Sequence, residues 1–337
     1  MPKPPTANPS LALNNGQDGP HMHRALDGAD RCSVRWALTR DVTPPTGVAQ
    51  FDAAQLAEFR IKVLAKGREL YRDLPWRRTR DPYATWLSEV MLQQTQVVRV
   101  DGRWQKWLER FPNVEALAVA SVADVLEEWQ GMGYNRRALS LQKAAQMIVH
   151  QGGKFPYDLK GLLALPGVGP ATAAGIRAFA WGLPGIYLET NVRTVFLHEL
   201  FPHELDVPDK KIAPLVEQTC PPESTDEADN PRSWYYALLD YGAFLKANLP
   251  NPSRRSRSHV KQSRFEGSHR QKRAALIRLL LKARGGNDAD VTLLTKELSK
   301  LEEKAGRLSL DVTEVTSLLQ ELEGEGFCYL DEGRWHV

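Results

Sequence analysis

Two carboxyl groups stand out for the chemistry they could do. Glu89 lies in WLSEVMLQQTQ (residues 86–96), three residues after Trp86 and three before Leu92. On a helix this spacing sets it at the border of an apolar face, where loss of water raises a carboxyl pKa and suits it to general-acid work. A helix-surface glutamate is the plainer reading. Against it stands the run of amides that follows, Gln93, Gln94 and Gln96, placed to enter something polar such as a disrupted base pair. Glu189, in LETNV (188–192), stands on a short loop before a helix for which Asn191 is the expected N-cap. The positive end of that helix favours an ionised acid, though a capping or surface carboxylate would look the same locally.

Two further segments could hold phosphate. Residues 162–176 read LLALPGVGPATAAGI, an apolar helix running into a Pro-Gly-Val-Gly corner and then a helix of small residues. Gly167 and Gly169, on either side of Val168, allow a tight hairpin whose backbone N–H groups open at a helix N-terminus. Such a terminus binds a DNA phosphate without reading sequence, and an ordinary packing corner is the alternative. Residues 253–273 contain Arg254, Arg255, Arg257, Lys261, Arg264, Arg270, Lys272 and Arg273 against Glu266 alone, a balance of +7 in a chain of net charge +3. They read as a phosphate-backbone contact or as a solvated linker.

Helices must position these groups. Apolar residues at helical spacing run through Phe51–Tyr71, and Asp81-Pro82 makes a helix start with an N-cap acid and proline in the first turn. Further helices are predicted at 102–111, 121–129, 137–151, 159–165, 171–181, 192–200 and 233–245, with little strand-like alternation, so residues 51–252 read as all-α. Residues 1–50, with seven prolines and four glycines, read as mostly disordered. Residues 253–268 read as a basic linker. Residues 269–337 read as three helices, the first stopped by Gly285-Gly286 and the third opened by an Asp311/Glu314 capping box, and then a hairpin: a small winged-helix-like α+β domain. Its third helix carries Glu314, Glu321 and Glu323 with no Lys or Arg from 311 to 323, so packing or docking suits it better than base readout.

Length and composition bound the function. The 337 residues, 42% hydrophobic and 25% charged, give a prior of about two domains and a sizeable core. Three scattered cysteines (Cys32, Cys220, Cys328) exclude a disulfide framework and a four-thiolate site within one chain. Lacking a long apolar run and an apolar leader, the sequence reads as a soluble, cytoplasmic protein without a membrane partner, nucleoid-associated in a bacterium, and monomeric.

WLSEVMLQQTQ, GMGYNRRA (131–138), LPGVGPATAAGI and ETNVRTV (189–195), in this order, resemble the helix-hairpin-helix DNA glycosylases of the endonuclease III superfamily. LPWR (74–77), DPY (81–83) and SEVMLQQTQ look most like the A/G-specific adenine glycosylases, the MutY type. The resemblance covers about Leu70–Leu245. It implies an all-α helix-hairpin-helix glycosylase core of two helical subdomains, acting on mismatched or oxidised double-stranded DNA. Glu89 matches the catalytic glutamate that protonates adenine and helps activate water, and Asn191 matches a motif asparagine beside the second acid. Gln94 matches the amide wedged into the duplex, with Gln93 beside it, and Tyr134 an intercalating tyrosine. Arg72 and Trp76 fall where the family lines its adenine pocket, and Asp240 matches a pocket acid. The implied reaction resembles glycoside hydrolysis on a flipped-out base: one carboxyl protonates the leaving group and the other stabilises an oxocarbenium-like sugar.

The departures bear on activity. The family's second acid is Asp followed by Gly, whereas here it is Glu189 followed by Thr190, which implies a loop rebuilt around the longer side chain. Ala171 stands where relatives carry Lys, Tyr or Ser, so no Schiff-base nucleophile is present and lyase activity is not expected. The family's four-cysteine [4Fe–4S] motif after the core is absent, so no cofactor is expected, and the Arg254–Arg264 segment is expected to supply the cluster loop's cationic contacts. A winged-helix-like tail stands where the family has a Nudix-like reader of 8-oxoguanine. The leading expectation is a monofunctional glycosylase for adenine opposite 8-oxoguanine or guanine. The alternatives are a glycosylase for thymine or uracil opposite guanine, or a silent DNA-binding homologue.

Overall fold

The computed structural model describes residues 51–259, 264–284 and 289–337. The expected disorder of 1–50, Lys261 of the basic segment and the Gly285-Gly286 stop lie outside them.

Local chemistry sets the element boundaries. Helix α1 (Ala53–Glu69) opens with a capping box between Asp52 and Gln55. A 3₁₀ turn at Pro75–Arg78 leads to α2 (Pro82–Leu92), where the Asp81 carboxylate caps the Ala84 N–H and Pro82 occupies the first turn. The short helices α3 (Val97–Val100), α4 (Arg103–Arg110), α5 (Val114–Val119) and α6 (Val122–Glu128) follow, then α7 (Arg136–His150). The hairpin pairs α8 (Leu159–Leu163) with α9 (Pro170–Trp181). Then come α10 (Thr190–Glu199), α11 (Asp209–Thr219) and α12 (Pro231–Asn248). Sequence reasoning missed α3, α5 and α11. The first two span four and six residues, too short for a periodic pattern, and α11 contains Pro214, which reads as a breaker.

Two apolar cores form among the described residues. One gathers Trp86, Leu87, Met91, Trp107, Leu141 and Ile148 from α2, α4 and α7, with Trp129 at the end of α6. The other gathers Phe59, Val63, Val195, Phe196, Ile212, Trp234 and Leu238 from α1, α10, α11 and α12. Helix α9 serves both, giving Ala173 and Ile176 to the first and Ala174, Ala178 and Phe179 to the second. Its small side chains let the two subdomains close on one shared helix.

The tail contains α13 (His269–Ala283), α14 (Val291–Lys304), α15 (Val312–Gly324) and the hairpin β1 (Tyr329–Asp331) and β2 (Arg334–His336). Asp331 pairs with Arg334, and Glu332 and Gly333 between them both take positive φ, the mirror-image turn that fits strand twist. The Asp311/Glu314 capping box is present. The tail is continuous in packing with the preceding helices: Leu276, Leu280, Leu298, Leu319 and Trp335 belong to the first apolar core. The boundary expected at 268/269 is a change of composition and not a gap in packing. Among the described residues, no helix is long and apolar enough to cross a membrane.

Candidate active site

Glu89 comes from α2 in the first core, and Glu189 from the start of α10 in the second. Glu89 feels the charge of Glu189, and Gly175 of α9 packs against the Glu89 carboxyl. Glu89 is 9% exposed, and burial pushes its carboxyl up to about 8, with the neighbouring Glu189 adding to the rise. Gly175 of α9 makes the room. A Cβ there would overlap Glu89 Oε2 and stand 2.7 Å from Tyr187 Cε2.

Glu189 is itself the N-cap of α10, a correction to the expectation for Asn191. Its Oε1 accepts the N–H groups of Asn191 at 2.7 Å and Val192 at 3.2 Å. Glutamate has the reach to curl back onto the second and third N–H groups, so the helix starts at Thr190 and Asn191 falls inside it. Burial pushes the Glu189 carboxyl above its usual range, opposed by those two N–H groups and by Lys246 and Arg193. Asn191 Oδ1 accepts from Lys246 Nζ at 3.2 Å, so the amide is tied to α12.

Of the three residues expected in a base pocket, Arg72 and Asp240 are bonded to each other and Trp76 lies in the first core. Asp240 is 2% exposed and accepts from Arg77 through both oxygens, at 2.7 and 2.8 Å, and from Arg72 Nε at 2.5 Å. Arg77, which sequence reasoning missed, is buried and lies 4.4 Å over the Tyr236 ring. Tyr236 in turn feels the charge of Glu89 and stacks on Phe179 at 4.5 Å. Asp240 therefore fixes a guanidinium beside the aromatic wall near Glu89. Trp76 is buried edge-on against Trp104 in the first core.

The proposed wedge elements carry unusual backbone. Gln94 and Tyr134 are non-glycine residues at φ +53 and +51. Such conformations persist only where the surroundings over-determine them. Arg137 does so here, donating to the carbonyls of Val90, Met91 and Gln93 on one side and of Met132 and Gly133 on the other, and to Thr95 Oγ1. Burial draws this guanidinium down to about 10, so it stays charged at neutral pH. Gln94 is exposed, while Gln93 turns inward and donates to Thr172 Oγ1 at 3.0 Å. Tyr134 has Arg270 of α13 5.2 Å over its ring. The hairpin has the expected form: Gly167 at φ +79, Val168 buried, and Gly169 as an N-cap with no side chain bonded to the first turn of α9.

The basic segment divides by role. Arg255 reaches back to the carbonyls of Leu197 and Phe201 at the end of α10, and Val207 pairs with Ser256 in a parallel bridge. Arg255 is thus spent inside the protein, a correction to its expected phosphate contact. Arg257 is exposed and paired with Asp206, and Arg254 is exposed. The thiols present do not fit a four-thiolate cluster. Cys220 packs against the second core, Cys328 is buried in the tail, and the chain after α12 has no cysteine up to 268. In the tail, Glu321 pairs with Arg273 and Glu325 with Arg136, so the acidic third helix and its end pack against α13 and α7.

These features meet known sequences. Residues 87–222 match the HhH-GPD superfamily of base excision DNA repair proteins. The adenine DNA glycosylase of Mycolicibacterium smegmatis is 31% identical over 283 residues, covering 78% of this chain and 92% of that protein. The chain belongs to the adenine DNA glycosylase family. The family member from Buchnera aphidicola subsp. Baizongia pistaciae is 34% identical over 180 residues, covering 52% of this chain and 50% of its own, so the match spans about half the length of that relative. A solved structure of a thermostable thymine-DNA glycosylase is 25% identical at a TM-score of 0.49, covering 57% of this chain and 88% of its own.

Proposed function

We propose that the protein hydrolyses the N-glycosidic bond of adenine mispaired with 8-oxoguanine or guanine in double-stranded DNA. The observation that carries this reading is the pairing of Glu89, held neutral by burial, with Glu189, anchored on the N–H groups of α10. A neutral Glu89 gives its proton to the departing base as the bond from C1′ to the base nitrogen breaks. Glu189 stabilises the positive charge that develops on the sugar. Water then adds its hydroxyl to C1′ and returns a proton to Glu89, so the carboxyl is regenerated.

The base must leave the stack to reach these groups. Gln94, exposed on a backbone locked by Arg137, and Tyr134 opposite it would fill the space vacated, while the hairpin N-terminus at Gly169 holds a phosphate. With Ala171 in place of an amine, the reaction is pure hydrolysis with no strand-cleaving step. The protein does this without an iron–sulfur cluster, its post-α12 segment being pinned instead by Arg255.

A panel of duplexes carrying A opposite 8-oxoguanine, A opposite G, T opposite G and U opposite G, treated with alkali after incubation, tests the reading. Abasic product from the adenine duplexes, abolished by Glu89→Gln with duplex binding retained, is expected. Product from the thymine or uracil duplexes alone would replace adenine as substrate. Binding with no product from any duplex would leave a silent homologue.

A further inference from the structure

Tyr187 is buried at the seam and is used by none of the steps above. It sits two residues before Glu189, in the loop between α9 and α10. Its phenol interacts with the Glu89 carboxyl and opposes the rise that burial imposes on it. The glycine between α2 and this loop shows how closely the two come: the same Cβ position at Gly175 that overlaps Glu89 Oε2 lies 2.7 Å from Tyr187 Cε2, the ring carbon next to the one bearing the hydroxyl. The ring is clamped edge-on by Phe179 at 5.3 Å and Tyr235 at 5.2 Å, and its backbone N–H donates to the Tyr235 hydroxyl. Tyr235 donates in turn to the Gly185 carbonyl. A phenol so held has one orientation to offer.

Resting on the function proposed above, we infer that Tyr187 is a positioning residue that holds the Glu89 carboxyl in the orientation from which it protonates the base. Helix α9 meets Glu89 with the bare backbone of Gly175, and the phenol bearing on Glu89 comes from the loop before α10. The phenol donates to the carboxylate oxygen once the proton has left, and so favours the ionised state that Glu89 must reach in the reaction. The same loop carries Glu189 two residues later, so one short segment sets both the acid's partner and the charge opposite it. The groups bearing on Glu89 are Tyr187, Glu189 and, across the wall, Tyr236.

Tyr187→Phe keeps the clamped ring and removes only the hydroxyl. Single-turnover adenine release is measured against pH for the full chain, the Tyr187→Phe variant and Glu89→Gln, with thermal melting alongside. The rate of Tyr187→Phe is expected to fall roughly tenfold at neutral pH, with its alkaline limb displaced to higher pH. An unmoved alkaline limb overturns the inference, even where the rate falls. Adenine release by Glu89→Gln overturns the acid role of Glu89, and no adenine release by the unaltered chain overturns the function beneath it; both outcomes are separate from failure of the Tyr187 arm. If Tyr187→Phe does not fold, site-specific replacement by a fluorotyrosine keeps the shape and makes the phenol a stronger donor. The limb must then move to lower pH, and a limb that stays in place rejects the assignment.

Discussion

Gly242 of α12 lies against the backbone of Asn191, so close that a Cβ at Gly242 would overlap the Asn191 carbonyl oxygen and stand 2.7 Å from its carbon. This contact sets the depth at which α10 docks on α12, and hence where Glu189 places its carboxylate. Backbone cannot rotate away as a side chain can. Gly242→Ala is therefore expected to push α10 outward, costing about 1–3 kcal/mol of stability. A displacement near 1 Å at the acid would lower the single-turnover rate by up to ~100-fold. Melting curves and adenine release on the same preparation test this; unchanged values of both would show that α10 has slack.

Arg77 and Asp240 make a second testable pair. The Asp240 side chain has no exposure to water, and its bidentate partner is also buried. Arg77→Met leaves a buried carboxylate with only Arg72, whose side chain is 36% exposed. Removing one member of a buried pair typically costs about 3–5 kcal/mol, and the remaining guanidinium puts this case at the low end. Adding Asp240→Leu to Arg77→Met should recover most of the loss, because no buried charge is then stranded. Chemical denaturation of the two variants checks the order; a double variant less stable than the single would contradict it.

Much of the fold was legible because its signals are local. Asp81-Pro82 and the Asp311/Glu314 box each act within four residues, and each appears in the structure as read. Glu89 was legible for the same reason, through Trp86 and Leu92 on its own helix. Arg77, Arg137 and Tyr187 were not. Arg77 meets a residue 163 positions away, and Arg137 locks a backbone 47 positions upstream. Nothing in the spacing around such residues distinguishes them from surface arginines. Asn191 was misread for a different reason: Glu189 and Asn191 are both competent caps, and only the packing of Asn191 against Gly242 and Lys246 decides between them.

The buried Glu89 carboxyl gives stability a defined pH dependence. Its folded-state value of about 8 lies above the ordinary 4.5. Between those values the native state keeps a proton that the unfolded chain has released, so stability falls as pH rises through this window. Glu89→Gln removes the titration. The variant should melt close to the parent near pH 5 and above it near pH 9, by an amount on the order of a few kcal/mol at most. Parallel melting curves across that range would refute the burial-driven rise.

The arginines of the basic segment differ in what they are bonded to, and their responses to salt are expected to differ accordingly. Arg254 is exposed, whereas Arg255 is bonded to the end of α10 and Arg257 to Asp206. Each phosphate contact contributes about 0.9 to the slope of log affinity against log salt. Arg254→Ala is expected to weaken binding alike for matched and mismatched duplexes and to reduce that slope by about one. Arg255→Ala should leave the slope unchanged and lower the melting temperature, because two carbonyls at the end of α10 lose their donor. Arg257→Ala should change the slope less than Arg254→Ala does, its guanidinium being already neutralised by Asp206. Fluorescence anisotropy titrations at several salt concentrations, paired with melting curves, distinguish the three. A salt slope that responds to Arg255→Ala as strongly as to Arg254→Ala would mean that the staple opens to reach DNA.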